Sequence, residues 1–413
     1  MIYDYLILGA GPAGLTFANM LIGRKNGCKF VVLEKENAAG GLCRSQEVDG
    51  APFDIGGGHF LDTRRPKVNE FLFHFMPEEE WNTYNRDTSL VIGDNIIGQP
   101  IEAYIWQLPI DDQIEYLKAI SSAGCNTGAA MPEKFTDWIY WKLGERIAED
   151  YMIPYNKKMF GKELNSLGTY WLEKLPSVSF EETLRSCLEH RKYGTDPGHT
   201  HFYYPKKYGY GELWLRMASE LGSNIHYGCN VACLDVDECK VELVDGSVYK
   251  AKKIITTIPW TCFRSIKGIT NEISEGISRL KYSSVITEYH EEHLETTSHW
   301  IYYPDPKLSY HRILVRHNFC EESKGYWTET NSDRSKIRFI KPLQQKENGC
   351  KSTFKFMNEY AYPLNTIDKP KIVRELLDYT RKKNVIGLGR WGEWEHFNSD
   401  VTVDRAMSLA QTI

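Results

Sequence analysis

The segment Gly9-Ala10-Gly11-Pro12-Ala13-Gly14 constrains this chain more than any other. It follows a short apolar run, Tyr3 to Leu8, and leads into Leu15 to Ile22, which is apolar enough for a packed helix. A second buried strand reads from Lys29 to Leu33 and ends on Glu34. Strand, glycine turn, helix, strand and acid in that order form the βαβ dinucleotide fingerprint in its confirming context. Gly9 permits the tight turn, Gly11 lets backbone approach a pyrophosphate, and Gly14 lets helix and strand pack closely. The helix N-terminus then turns its free N–H groups and positive dipole end toward the phosphates. Glu34 is placed to accept hydrogen bonds from ribose hydroxyls. The bland counterpart is a glycine-rich turn in an α/β protein that binds nothing.

The dinucleotide is NAD or FAD, and the spacing of the remaining strands bears on which. A simple dehydrogenase keeps its nucleotide domain in one piece. Here buried apolar strands recur near residues 5, 32, 256 and 387. A nucleotide domain interrupted by insertions, with its last strand close to residue 413, fits a flavoprotein better. The expected fold is α/β: a split Rossmann-type FAD-binding domain, an inserted helical domain and a second, mixed β-sheet substrate domain. The FAD-binding parts are residues 1–60, 204–265 and 384–413. The inserted, largely helical part is 61–203, and 266–383 forms the substrate-binding sheet.

Composition narrows the classes. The chain has 413 residues, enough for two or three domains at roughly 150 residues each. Hydrophobic residues are 42% and charged residues 25%, which excludes disorder as the main state. Lys+Arg total 50 against 55 Asp+Glu, so no basic field holds a nucleic acid or an anionic membrane. Ten Cys without metal spacing read as reduced thiols. No segment reads as a signal peptide or a bilayer span, and the expected location is cytoplasmic. The 25 Tyr and 11 Trp, many in polar stretches, suit a pocket that grips sugars or nucleobases.

Further along, Gly40-Gly41-Leu42 follows Glu34, Asp49-Gly50 reads as a hairpin turn, and Phe53-Asp54-Ile55-Gly56-Gly57-Gly58-His59 comes next. Three successive glycines imply backbone packed against something flat or charged. Residues 62–113 read as mixed. Phe135 to Tyr151 reads as a helix broken at Pro154-Tyr155-Asn156, and another helix reads from Phe180 to Arg191. Strands alternate around a turn at Asp245-Gly246, and Trp300 to Arg316 reads as strands of a second sheet. Arg334 to Lys355 reads as a loop or mobile edge. Ile372 to Lys382 and Val401 to Gln411 read as helices around a last strand, Asn384 to Leu388, which precedes Gly389-Arg390-Trp391-Gly392.

These glycine motifs, with Glu34 and the terminal Gly389 to Trp394 segment, resemble the glutathione-reductase-like FAD superfamily, especially its amine oxidase and protoporphyrinogen oxidase branch. The loop Phe53 to His59, with Pro154-Tyr155-Asn156, Trp300 to Pro304, Tyr310-His311-Arg312, Tyr360 to Pro363 and Gly389 to Gly392, is similar in order to the UDP-galactopyranose mutases over essentially the whole chain. The resemblance implies an FAD enzyme active in its reduced form. The flavin N5 attacks the anomeric carbon of a nucleotide sugar, the diphosphate leaves, and the sugar recloses as a furanose from an N5-sugar adduct. UDP-galactopyranose or a related nucleotide sugar is the implied substrate and surface polysaccharide synthesis the implied setting. An external donor such as NADPH would reduce the flavin, and an oligomer is compatible.

The resemblance also assigns residues. Arg312 would hold the diphosphate, Tyr302 and Tyr362 would bond its oxygens, and Asn156 would touch sugar or nucleotide. Arg390 would lie near the flavin and His59 would face its N5 edge, so that His59, Arg312 and Arg390 form the catalytic set. The cofactor shell would comprise Gly9, Gly11, Pro12, Ala13, Gly14, Glu34, Lys35, Gly41, Leu42, Gly57, Gly58, His59, Val231, Arg390, Asp400 and Val401. Three positions depart from the family pattern. Its second arginine is absent from Tyr170 to Leu175, where Lys174 is the available cation. A tryptophan appears as Phe160 and a flavin-side tyrosine as His396. The uridine-contacting segment is loosely matched at Gln99 to Gln107. Two other readings stand beside the mutase: an oxidoreductase of the amine oxidase type, and a non-catalytic protein that keeps FAD as a structural element.

Overall fold

The computed structural model describes residues 2–22, 27–161, 163–172, 178–194, 200–337, 339–342 and 352–413. Five parallel strands form its centre, in the order Ile225–His226, Phe30–Leu33, Ile2–Leu8, Val248–Thr256 and Val385–Gly387. Leu6 stands opposite Val31 on one side and Ile254 on the other, and Ile254 stands opposite Val385. The strands foreseen near 5, 32, 256 and 387 therefore meet in one sheet. Side chains alternate across it. Tyr5 and Ile7 enter a core with Phe17 and Ala406, while Leu6 and Leu8 enter a second core with Ile372 and Leu376. Burial on both faces explains why these strands are continuous apolar runs. The start of Val248–Thr256 also pairs with Lys240–Leu243, and an antiparallel meander continues to Val231–Asp235.

The second sheet has seven strands, in the order Ser352–Pro363, Tyr282–His290, Tyr326–Asn331, Arg312–Leu314, Trp300–Tyr302, Thr88–Ile92 and Asn95–Gly98. Its last two strands come from the stretch between 61 and 203, which is largely helical only from Ile110 onward. Thr88–Ile92 pairs in parallel with Trp300–Tyr302. Trp81–Asn85 and Leu61–Asp62 pair with His201–Pro205 in a separate three-stranded sheet. The hairpin at Asp49-Gly50 is present, with φ of 54° and 73°, as a type I′ turn requires.

Two local expectations are corrected. The break lies not at Pro154 but at Gly144, whose φ of 76° and ψ of 168° kink the stretch Phe135–Ile147; from there the chain continues through a wider π turn, Ala148–Met152, into the helix Ile153–Phe160. Pro154 falls in the first turn of that last helix, where its missing N–H costs no intrahelical bond. The loop expected over 334–355 ends sooner, because a strand starts at Ser352; residues 343–351 lie outside those described.

Candidate active site

Three glycine turns converge at the ends of the parallel strands. Gly9 has φ +97°, and a Cβ on Gly14 would lie 2.0 Å from the Gly9 carbonyl oxygen. Gly40 donates its N–H to the Ala10 oxygen at 2.8 Å. Gly41, with φ +54°, faces Gly11 so closely that a Cβ would sit 3.2 Å from its Cα. From the far end of the chain, Gly389 packs against Ala13, where a Cβ would come within 2.7 Å. Pro12 opens the helix Pro12–Ile22, which packs on the C-terminal helix Ser399–Thr412. Glu34 is buried and accepts the N–H groups of Ala10 at 2.7 Å and Glu36 at 2.9 Å. Each of its oxygens keeps a second lone pair for a ligand hydroxyl.

The loop from Phe53 to His59 joins this region to the second sheet, and its glycines meet what the sequence implied. A Cβ on Gly56 would strike the Leu42 oxygen at 1.9 Å, and one on Gly57 would strike the Glu329 carboxylate at 2.2 Å. One on Gly58 would strike the Trp300 indole at 2.7 Å. The partners are thus a backbone carbonyl, a charge and a flat ring. His59 stacks on Tyr210 with ring centres 6.3 Å apart. Its Nδ1 is buried without a hydrogen-bond partner. Burial and the nearby Arg390 guanidinium lower its pKa to about 4, so the ring is neutral at pH 7.

Beyond the loop lies a cluster of cations and phenols. Arg312 donates through Nη2 and Nε to one oxygen of Glu329, at 2.6 and 3.0 Å. Its Nη2 also reaches the Tyr362 hydroxyl at 3.4 Å. The Tyr302 hydroxyl accepts from Arg86 Nη2 at 3.0 Å. Burial opposes ionisation of Tyr302, but the guanidiniums of Arg86 and Arg312 outweigh it and lower its pKa below the ordinary phenol value. Burial likewise opposes ionisation of Glu329, yet Arg312 and His311 hold its pKa down to about 2. Arg390 donates to the carbonyls of Phe397 at 2.9 Å and Ala361 at 3.0 Å. Among the described residues no carboxylate pairs with it, and burial lowers its pKa.

The other expected residues divide. Tyr362 has the ring of His396 at 5.0 Å and that of Phe160 at 6.4 Å, so both replacements border the cluster. Asn156 is buried but spends its amide N–H on the Met152 carbonyl at 2.7 Å. Lys35 sits near Glu36 at 3.7 Å with more than half of its side chain exposed. Val231 is buried in its strand. Asp400 is buried, bonded to Arg65 at 2.6 Å, and its Oδ1 has no partner. Val401 lies in the first turn of the same helix as Asp400. Lys174 lies outside the described residues.

Arg86 and Glu329 were not anticipated. Glu329 carried a signal, an acid inside Tyr326–Asn331, a strand buried at every residue. Arg86 lies in an ordinary polar stretch, and nothing local marks it. The residues present fit FAD. Facing glycine turns leave room for a pyrophosphate, Glu34 retains lone pairs for a ribose, and the unpaired Arg390 with the orphaned His59 Nδ1 would suit the polar edge of a flavin. Among the described residues no His, Cys, Asp or Glu cluster could hold a metal, and no helix is long and apolar enough to cross a membrane.

The comparisons agree with this geometry. The NAD(P)-binding Rossmann-like domain family matches residues 7–75, and the flavin containing amine oxidoreductase family matches residues 110–293. The structure of reduced UDP-galactopyranose mutase is similar over 100% of this chain and 93% of its own, at a TM-score of 0.88 and 21% identity. A putative protoporphyrinogen oxidase from Exiguobacterium sp. 255-15 is similar over 99% and 98%, with a TM-score of 0.70 and 12% identity. Putrescine oxidase bound to putrescine is similar over 100% and 99%, with a TM-score of 0.66 and 13% identity. These findings support an FAD-dependent enzyme. The chain has the α/β fold of UDP-galactopyranose mutase and of the wider amine oxidase and protoporphyrinogen oxidase superfamily.

Proposed function

We propose that this protein is an FAD-dependent nucleotide-sugar mutase that interconverts pyranose and furanose forms, with UDP-galactopyranose or a related nucleotide sugar as substrate. The observation that carries the reading is the group Arg86, Tyr302, Arg312 and Tyr362 beside the glycine loop that ends on His59. Amine oxidation gives no reason to gather guanidiniums and phenols there, whereas a departing diphosphate needs them. The 0.88 TM-score to the reduced mutase adds weight. In this reading residues 1–60, 204–265 and 384–413 hold the cofactor, and 61–203 and 266–383 close over it.

When bound and reduced, FAD supplies the nucleophile that the protein itself lacks. Arg390 would offset negative charge on the bound cofactor, and neutral His59 would offer a hydrogen-bonding nitrogen rather than a second positive charge. Tyr302 and Tyr362 donate to phosphate oxygens, and Arg312 presents its remaining donors to the same group. Asn156 positions the sugar or nucleotide. NADPH is a candidate reductant, the cytoplasm the proposed location and surface polysaccharide the proposed destination of the product.

The test is turnover of UDP-galactopyranose and related nucleotide sugars by FAD-loaded protein. With dithionite the furanose form should appear; without reduction it should not. Flavin bleached by an amine substrate and restored by oxygen would instead establish the amine-oxidase reading, which the putrescine oxidase likeness favours. No turnover of either kind would leave FAD as a structural element.

A further inference from the structure

The charge around the cluster is unevenly spent. Arg312 is tied to Glu329 by two hydrogen bonds to one oxygen, so its positive charge is largely matched inside the protein. Arg86 has no such partner among the described residues. Its Nε goes to the Thr88 hydroxyl at 3.0 Å and its Nη2 to Tyr302, both neutral groups. The guanidinium lies over the Trp300 ring, 5.3 Å from its centre. The neighbouring Asp87 carboxylate accepts from the Thr297 hydroxyl at 2.8 Å and makes no ion pair with Arg86 among the described residues, although Asp87 and Thr297 line the same cleft. Arg86 also lines a cleft of about 320 Å³, whose walls include Ser89, Gln99, Tyr104 and Gln107. By donating to the Tyr302 oxygen, Arg86 leaves the phenolic hydrogen free to point elsewhere.

We propose that Arg86 is the unmatched cation that receives the diphosphate of a nucleotide sugar, with the Tyr302 O–H as the adjoining donor and beside the remaining donors of Arg312, which stays paired with Glu329. The inference rests on the nucleotide-sugar reading above. It supplies, from the segment before Thr88–Ile92, a fork-shaped cation that the Tyr170 to Leu175 region does not contain. The cleft beside it is left to accept the nucleoside.

The experiment is titration of FAD-loaded protein with UDP, followed through the flavin absorbance and by calorimetry. Arg86→Gln should weaken UDP binding roughly 10- to 100-fold, the effect of losing a charge-assisted contact. Arg86→Lys keeps the charge without the fork and should recover part of that loss. FAD content and melting temperature report the fold independently. Arg86→Gln that binds UDP like the wild type, or Arg86→Lys no better than Arg86→Gln, would overturn the assignment. Should Arg86→Gln fail to take up FAD, Arg86→Lys alone is read: UDP binding within about tenfold of the wild type supports the assignment, and its loss overturns it. If the wild-type protein binds none of UDP, GDP, ADP or dTDP, the nucleotide-sugar reading itself fails.

Discussion

Arg312 gives two hydrogen bonds to a single oxygen of Glu329, at 2.6 and 3.0 Å, while the other Glu329 oxygen receives the Gly58 N–H at 3.3 Å. One buried carboxylate therefore anchors both the guanidinium and the glycine loop that carries His59. Removing one partner strands the other charge, and that costs about 3–5 kcal/mol in a buried pair. Arg312→Gln should be destabilised by an amount of that order. The double substitution Arg312→Gln with Glu329→Gln should regain much of the stability without regaining UDP binding. Urea melts and UDP titrations of the two single variants and the double variant check both halves.

Acid should destabilise the protein in two stages. His59 and His290 are each lowered by burial to about 4, whereas unfolded histidine titrates near 6.5. The unfolded chain therefore binds more protons between those values, and stability falls as pH drops from about 6.5 to 4, by about 1.4 kcal/mol per pH unit for each group. Glu329, held near 2 against an unfolded value near 4.3, contributes stability that is present above pH 4.3 and lost below it. Melting temperature against pH should show both limbs. His290→Gln should flatten the upper limb and Glu329→Gln the lower one.

Gly11→Ala and Gly14→Ala should part company. A Cβ on Gly11 would meet only the Gly41 Cα at 3.9 Å, an ordinary contact, whereas one on Gly14 would lie 2.0 Å from a carbonyl oxygen. Gly11→Ala should fold normally and lose FAD, because the added methyl group occupies the approach to the pyrophosphate. Gly14→Ala should lower the melting temperature of the apoprotein itself. FAD absorbance per mole of protein and calorimetry of the apo forms separate the two effects.

Lys158 is almost fully buried, donates to the carbonyls of Tyr303 at 2.8 Å and Asp305 at 2.9 Å, and is lowered by burial to about 7. The unfolded chain holds this proton more tightly, so the contribution of Lys158 to stability grows as pH rises from 7 toward 10. Lys158→Met should remove that rise. The difference in melting temperature between the wild type and Lys158→Met, measured at pH 7 and pH 9.5, should widen in favour of the wild type.

Much of the cofactor half of this protein could be read directly from residue order. Gly9 to Gly14, Glu34 and the apolar strands near 5, 32, 256 and 387 obey local rules of turn sterics and strand burial, which act within a few residues. Three glycines in a row foretold close neighbours, and Leu42, Glu329 and Trp300 are those neighbours. Pro154 was misjudged because it falls in the first turn of Ile153–Phe160, where its missing N–H costs little, while the kink sits at Gly144.

The sequence by itself determined the dinucleotide turn, the interrupted nucleotide sheet and the order of the motifs, since each depends on neighbours in the chain. Only the tertiary structure decided how charge is shared. It matched Arg312 to Glu329, gave Arg390 backbone carbonyls and no carboxylate among the described residues, and brought Arg86 across 216 residues to Tyr302. Whether a guanidinium is spent or free depends on which groups the folded chain places within a few ångströms, and on how much water burial removes from between them.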